Sequence, residues 1–262
     1  MPFLRSFNVN TERQHPFPFG IPAVKFAKDV LLDSPVTILV GDNGCGKSTL
    51  LEAIAYKLSL PLIGGEIKEN AGFEAAEILQ PFIELSWKHE THRGFFFRAE
   101  DFSDFVLGVD REKGKILSEL NELKGVANND IMNQLNESMN WRLRAMKRSY
   151  GENMQAYSHG EAYLKILQTR IGDKGIFLLD EPEAALSPLK QLSLIALIME
   201  IIKGKNAQFI IATHSPILMG VPGATLYEIQ EDGMQKVAYT ETDHYRITKH
   251  FLDDPQFYLR HF

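Results

Sequence analysis

Gly41-Asp42-Asn43-Gly44-Cys45-Gly46-Lys47-Ser48 is the run of residues on which the reading of the whole chain turns. It fits the phosphate-binding loop pattern G-x-x-x-x-G-K-[ST] at every fixed position. The spacing has a physical reason. Glycines let successive backbone N–H groups curl around a phosphate, and the helix that follows aims its positive end at the same point. Lys47 would neutralise β- and γ-phosphate charge, and the Ser48 hydroxyl would ligate Mg²⁺. The flanks agree. Val36 to Val40 (VTILV) is a continuous β-branched run, the mark of a strand buried on both faces. From Ser48 to Leu58, apolar residues at Leu50, Leu51, Ile54, Ala55 and Leu58 follow a helical period. Cys45 is a small residue in a tight loop, which explains it without redox chemistry.

Composition sets the outer limits. The chain has 262 residues, 28 Lys+Arg against 34 Asp+Glu, a net charge of −6, 44% apolar and 24% charged residues. That balance excludes disorder as the dominant state. The length suits one large α/β domain with an insertion. A single cysteine excludes an internal disulfide framework or a cysteine-built metal cluster, and suits a reducing cytosol. Leu192 to Ile202 is interrupted by Ser193 and Glu200 and is too short to cross a bilayer. MPFLRSFNVN has no apolar run behind a basic cap, so no signal peptide is expected. The expected place is the cytoplasm. An acidic total argues against nonspecific coating of nucleic acid.

Outward from the loop, residues 14–22 carry three prolines and a glycine and read as irregular lead-in. Within 61–100, PLIGGEI, PFIELSWK and GFFFRAE read as short strands. Residues 101–157 read as a mostly helical insertion, with breaks at Gly108, Gly114, Gly125 and Asn128–Asn129. The α/β rhythm then returns. A helix is expected over Ser158–Arg170, a strand over Ile176–Leu179, a helix over Leu189–Lys203 and a strand over Phe209–Ala212. Thr225 to Thr240 suggests a hairpin turning at Asp232–Gly233, and Tyr245 to Phe262 a short helix and tail. Alternating strands and helices imply a largely parallel sheet covered by helices.

Three further stretches carry candidate chemistry. Ile176-Phe177-Leu178-Leu179-Asp180-Glu181 ends a buried strand in two acids, at the edge where α/β sheets bind ligands. Asp180 would hold Mg²⁺, directly or through water. Glu181 would orient or deprotonate an attacking water. Phe209 to Ser215 repeats the arrangement, with His214 placed to reach a γ-phosphate or that water; the plainer alternative is a capped surface histidine. Tyr157-Ser158-His159-Gly160-Glu161 opens a helix, either as a capping box or as a seat for phosphate.

Together these elements resemble the ATP-binding cassette superfamily. The loop is similar to its Walker A motif, LLDE to Walker B, Ser158-His159-Gly160-Glu161 to the signature usually written L-S-G-G-Q, and His214 to the switch histidine. Ser158 and Asp180 are 22 positions apart, and Asp180 and His214 are 34 apart, in agreement with that order. The resemblance spans about residues 19–220. It implies an α/β P-loop NTPase of the ABC-ATPase type: a mostly parallel central sheet with flanking helices, a small antiparallel β portion and a helical insertion. It also implies ATP held by Gly41, Asp42, Asn43, Gly44, Cys45, Gly46, Lys47, Ser48 and Thr49, and Mg²⁺ held by Ser48 and Asp180. Catalysis would rest on Glu181, His214 and Lys47. Ser158 and Gly160 of a second copy would close the site in a head-to-tail, ATP-dependent homodimer. An aromatic ahead of the first strand stacks on adenine in this superfamily, and Phe19 or Phe17 is the expected one; core packing is the alternative for both. By register the Q-loop glutamine is Arg98 here, with Glu100 close behind.

The wording after Walker B, Glu181-Pro182-Glu183-Ala184-Ala185-Leu186-Ser187-Pro188, and Thr213-His214-Ser215-Pro216 look like the soluble RecF-like, chromosome-maintenance and overcoming-lysogenisation-defect groups. That implies an ATPase acting on nucleic acid or through an unidentified protein partner. The alternative is the ATP-binding subunit of a membrane transporter, with a permease as partner. Residues 101–157 show no sustained heptads, so a long coiled-coil arm is not expected. Trp141 to Arg148 (WRLRAMKR) is the most basic octet, read as a solvated helix face or as a contact for phosphates.

Overall fold

Period-two alternation explains the centre of the molecule. Ile176 and Leu178 enter one apolar cluster while Phe177 and Leu179 enter the other; Phe96, Ile210 and Ala212 likewise oppose Phe95, Phe97, Phe209 and Ile211. Successive side chains of a strand point to opposite faces, so these runs demand cover on both sides. The computed structural model describes residues 3–10, 17–63, 73–123, 130–150, 159–171, 174–204 and 206–260.

The chain opens with β1 (Leu4–Val9), α1 (Pro22–Lys25), β2 (Val30–Leu31), β3 (Val36–Gly41) and α2 (Lys47–Leu58). Then come α3 (Glu74–Leu79), β4 (Ile83–Trp87), β5 (Gly94–Arg98), α4 (Phe102–Leu123) and α5 (Asp130–Tyr150). After α6 (His159–Arg170) follow β6 (Lys174–Asp180), α7 (Pro188–Gly204), β7 (Asn206–Ala212) and α8 (Pro216–Met219). β8 (Thr225–Gln230), β9 (Gly233–Val237), α9 (Asp243–Asp253) and α10 (Pro255–Leu259) finish it.

The six-stranded sheet has the order β5-β6-β7-β3-β8-β9, parallel except for β9. A three-stranded antiparallel sheet, β2-β1-β4, packs with α2 and α3 on one face of it. α6, α7 and the start of α4 cover the other face. The mostly parallel sheet, the small antiparallel portion and the helical insertion are therefore all present.

Several details differ from the sequence reading. Gly108 and Gly114 do not break the insertion: α4 runs through both, and a Cβ at either would meet nothing within 4 Å. Each glycine costs the helix roughly 1 kcal/mol, and burial of Phe102, Val109, Ile116 and Leu120 outweighs it. Gly125 and Asn128–Asn129 lie outside the described residues. Of PLIGGEI, Leu62 makes a single bridge to Phe96, and the rest from residue 64 lies outside the described residues. The hairpin turns at Glu231–Asp232, because Gln230 pairs with Gly233. β1 was not foreseen. A register shift between Leu4 and Ser6 breaks its alternation, and buried Gln208 pins it by accepting the N–H groups of Phe3 and Leu4 at 2.8 Å.

Candidate functional site

The loop of Gly41 to Ser48 joins β3 to α2 at the C-terminal edge of the parallel sheet. Gly46 is the residue before α2, with φ of +92°; a Cβ there would stand 2.0 Å from Ile21 Cγ2. Conformation and space both require glycine at this point. Asp42, Asn43 and Gly44 are exposed along the loop, while Cys45 is buried and packs into the core. Lys47 is buried, and its ammonium donates to the carbonyl oxygens of Gly41 (2.8 Å) and Asp42 (3.0 Å). Ser48 Oγ donates to Asp180 Oδ1 at 3.1 Å, which ties the loop to the end of β6. Thr49 follows in the first turn of α2, half-buried.

β6 and β7 are neighbours, so their terminal side chains meet. The Glu181 N–H donates to Ala212 O, and Glu181 adopts φ of +47°. Left-handed backbone at a non-glycine residue is strained, and such strain collects at functional sites. His214 Nε2 lies 3.6 Å from Glu181 Oε1. Burial, then the Lys47 charge, lower the His214 pKa, and Glu181 opposes them. A cavity of about 480 Å³ is lined by Ser48, Glu100, Phe102, Asp180 and Glu181 among others.

The other expected residues fall as follows. Phe19 does not offer a ring face to a base: it is 6% exposed and packs edge-on against Phe82, with centroids 5.0 Å apart. Phe17, two residues earlier, is 70% exposed. Arg98 ends β5 in register with Asp180 and is held by Glu52 (2.8 Å), Glu100 (3.1 Å) and Asp101 (2.7 Å), over the Phe73 ring. Glu100, 71% exposed, also faces the cavity. Gly160 lies in the first turn of α6; Ser158 lies outside the described residues. In the basic octet, Trp141 is exposed and Arg142 pairs with Glu112 of α4 at 2.8 Å.

Sequence reasoning missed three residues. Buried Glu183 accepts the N–H groups of His214 (2.6 Å) and Ser215 (3.1 Å) through Oε1, fixing the peptide that carries His214. Burial pushes its carboxyl above the ordinary range. Gln191 on α7 accepts from the Ser215 hydroxyl at 2.5 Å. His244, on α9, meets His214 Nδ1 through its Nε2 at 3.2 Å. The second acid of E-P-E was a legible signal for Glu183; nothing local marks Gln191 or His244.

Residues 31–184, more than half of the chain, match the family model described as ABC transporter. The chain belongs to this family. It is similar to the tyrosine transport ATP-binding protein of Clostridioides difficile, 26% identical over 79% of this chain and 80% of that protein. It is also similar to the cobalt import ATP-binding protein CbiO of Salmonella typhimurium, 29% identical over 69% of this chain and 62% of that one. Among solved structures it is similar to the Smc head domain from Pyrococcus furiosus bound to the C-terminal domain of ScpA. There the identity is 14% and the TM-score 0.45, over 97% of this chain and 99% of the other. CbiO1 from Clostridium perfringens gives 15% and 0.46, with both chains fully covered.

As an ABC ATPase the protein binds and hydrolyses ATP. Its strand-edge acids also suit a cation. Asp180 is pushed up to about 7, first by burial and then by the charges of Glu181, Glu52 and Glu100, against the Ser48 hydrogen bond. A carboxyl so disfavoured in its charged form is one that a divalent ion would restore to carboxylate. Mg²⁺ is satisfied with one or two protein oxygens beside phosphates and water. The residues fit the ion.

Proposed function

We propose that the ATPase works as a nucleotide-gated clamp, in which two copies close head to tail over two ATP molecules and hydrolysis releases them. The meeting of Lys47, Ser48, Asp180, Glu181 and His214 at one sheet edge supports the hydrolytic half of this reading, and membership of the ABC family supports closure as a dimer. The loop N–H groups hold the β-phosphate, and Lys47 exchanges its two carbonyl partners for phosphate oxygens. Ser48 and Asp180 would hold Mg²⁺, which when bound neutralises charge on the transferring phosphoryl group. Glu181 takes the proton of the attacking water, and His214 donates from Nε2 towards the γ-phosphate. Phe17, rather than Phe19, supplies the exposed ring for adenine. Ser158 and Gly160 of the second copy complete the γ-phosphate shell.

Partner identity divides two ways. The curated relatives are named for tyrosine transport and cobalt import, which supports a membrane permease as the partner that the clamp drives. The Ser187-Pro188 and Thr213–Pro216 wording supports the second reading, action on nucleic acid or a soluble protein complex in the cytoplasm. Among the described residues no helix is long and apolar enough to cross a membrane, which is compatible with either.

Glu181→Gln tests the clamp. The side chain keeps its shape and loses its ability to take a proton. Turnover is expected to fall by about 100-fold or more, with ATP binding kept and a dimer trapped in Mg-ATP on size-exclusion chromatography. A variant that stays monomeric at saturating ATP overturns the sandwich.

A further inference from the structure

His214 carries two ring nitrogens with different surroundings. Nε2 is buried, makes no hydrogen bond among the described residues and lies 3.6 Å from Glu181 Oε1. Nδ1 is 3.2 Å from Nε2 of His244. Two imidazoles that meet through ring nitrogens need one proton between them. If His214 carried its proton on Nδ1, the bare lone pair of Nε2 would face a carboxylate oxygen. With the proton on Nε2, that repulsion becomes attraction, and Nδ1 is left to accept. His244 is then the donor.

The chain takes trouble to bring His244 there. It sits in the first turn of α9, behind the N-cap Thr242, whose hydroxyl accepts the Tyr245 N–H at 3.4 Å. Glu228 Oε1, from buried Glu228 of β8, accepts the Asp243 N–H at 2.9 Å. Tyr239 donates its hydroxyl to Pro216 O at 2.9 Å, clamping the start of this segment to the stretch that follows His214. His214 is held from the other side by Glu183 on its own N–H. The ring is thus fixed at both its backbone and its Nδ1.

We propose that His244 is a positioning residue for His214: the Nε2–H it donates to His214 Nδ1 keeps the His214 proton on Nε2, the nitrogen that faces Glu181. The second residue of a histidine relay is commonly what decides which nitrogen carries the proton. This rests on the reading of His214 as the γ-phosphate donor. It goes further in making the segment around α9 part of the hydrolytic site.

The test joins a spectroscopic and a kinetic measurement on the full chain. With ¹⁵N-labelled histidine, ring-nitrogen correlations report the tautomer of His214 directly. Wild-type protein should show the Nε2–H form. His244→Phe, which cannot donate, should show a mixture, and His244→Gln, whose amide can donate, should keep the wild-type pattern. Loss of one such hydrogen bond predicts a fall in kcat of about three- to tenfold for His244→Phe, with KM for ATP little changed. His244→Gln should recover most of it. An Nδ1–H form of His214 in wild type, an unchanged tautomer in His244→Phe, or a His244→Gln as slow as His244→Phe would each overturn the proposal. If His244→Phe does not fold, the wild-type spectrum and His244→Gln decide between these outcomes. His214→Ala is measured alongside. Full turnover in that variant would refute the hydrolytic role of His214, while the tautomer result stands separately.

Discussion

The edge of the parallel sheet and the helical pair α4–α5 are built on opposite terms. β3 is buried at all six positions and β6 and β7 at six of seven, and each leads into side chains of the proposed site. The helical pair is longer, yet among the described residues its own buried cluster is Ile116, Leu120 and Leu143, with Met139 packed against them. One region is over-determined, so it can hold a buried cation, a buried salt bridge and a strained glutamate. The other has little packing to spend and should open on its own. Perturbations at the edge should therefore abolish function or global stability, and perturbations in the pair should do neither.

Lys47→Ala should have the largest effect. On the proposed reading the buried ammonium is the main cation at the phosphates, and charge-assisted bonds contribute about 1.5–3 kcal/mol each. ATP affinity is expected to fall by about 100- to 1000-fold, checked by calorimetric titration with the fold verified by circular dichroism. Unchanged affinity would mean that the loop is not the nucleotide seat.

Arg98→Leu breaks the edge differently. Arg98 is 10% exposed and pairs with the equally buried Glu52. Burial already pushes the Glu52 carboxyl up, and the Arg98 hydrogen bond and charge are what pull it back. Removing one partner of a buried pair costs about 3–5 kcal/mol. Chemical denaturation should show that loss near pH 7 and a smaller one as pH falls and Glu52 gains a proton. A Glu52→Leu/Arg98→Leu double variant should recover part of the stability, since the most buried of the stranded charges is gone while the more exposed Asp101 still lacks its partner.

Asp180→Asn sharpens the same point through pH. In metal-free protein the folded pKa of about 7 lies above the ordinary 3.8. Between those values the folded state holds a proton that the unfolded chain has lost. Stability therefore falls as pH rises through this window. Asn carries no such proton, so the variant should gain on wild type progressively from pH 4 to 7, by a few kcal/mol on the order of one to two per pKa unit. Mg-ATP should reverse the difference, because the ion stabilises the wild-type carboxylate and Asn offers it none. Thermal unfolding in EDTA across that range is the measurement; a gap that does not change with pH means that Asp180 is ionised in the fold.

The two regions were also unequally legible in the sequence. At the edge, the features that matter are local: glycine where φ is positive at Gly46, β-branched runs where both faces are covered, acids one step beyond a buried strand. What escaped was set by distance. Gln191 and His244 act on Ser215 and His214 from 24 and 30 residues away, and no periodicity announces that. Phe19 and Phe17 look alike in a string, and only packing against Phe82 separates the core ring from the exposed one. In the insertion the difficulty was of another kind. Gly108 and Gly114 carry a real helical penalty, and the sequence could not weigh it against Val109 and Ile116 on the buried stripe.

Leu143→Ala should have the smallest consequence, and it tests the weaker region. Leu143 is the buried contribution of α5 to the cluster it shares with α4. Removing a buried leucine side chain costs about 2–5 kcal/mol, the lower end where neighbours can collapse into the space. A cluster this small, beside the exposed Arg142–Glu112 pair, gives about 2 kcal/mol as the expected loss. That loss should be local. Hydrogen exchange should quicken along α4 beyond Val109 and along α5, while β3, β6 and β7 keep their protection, because among the described residues no side chain of the small cluster is shared with the sheet clusters. ATP affinity should stay within about twofold, since the phosphate loop and Asp180 are anchored by the sheet. If exchange instead rises equally in the central strands, the pair and the sheet form one cooperative unit. The contrast between a rigid nucleotide edge and an independently opening insertion would then be lost.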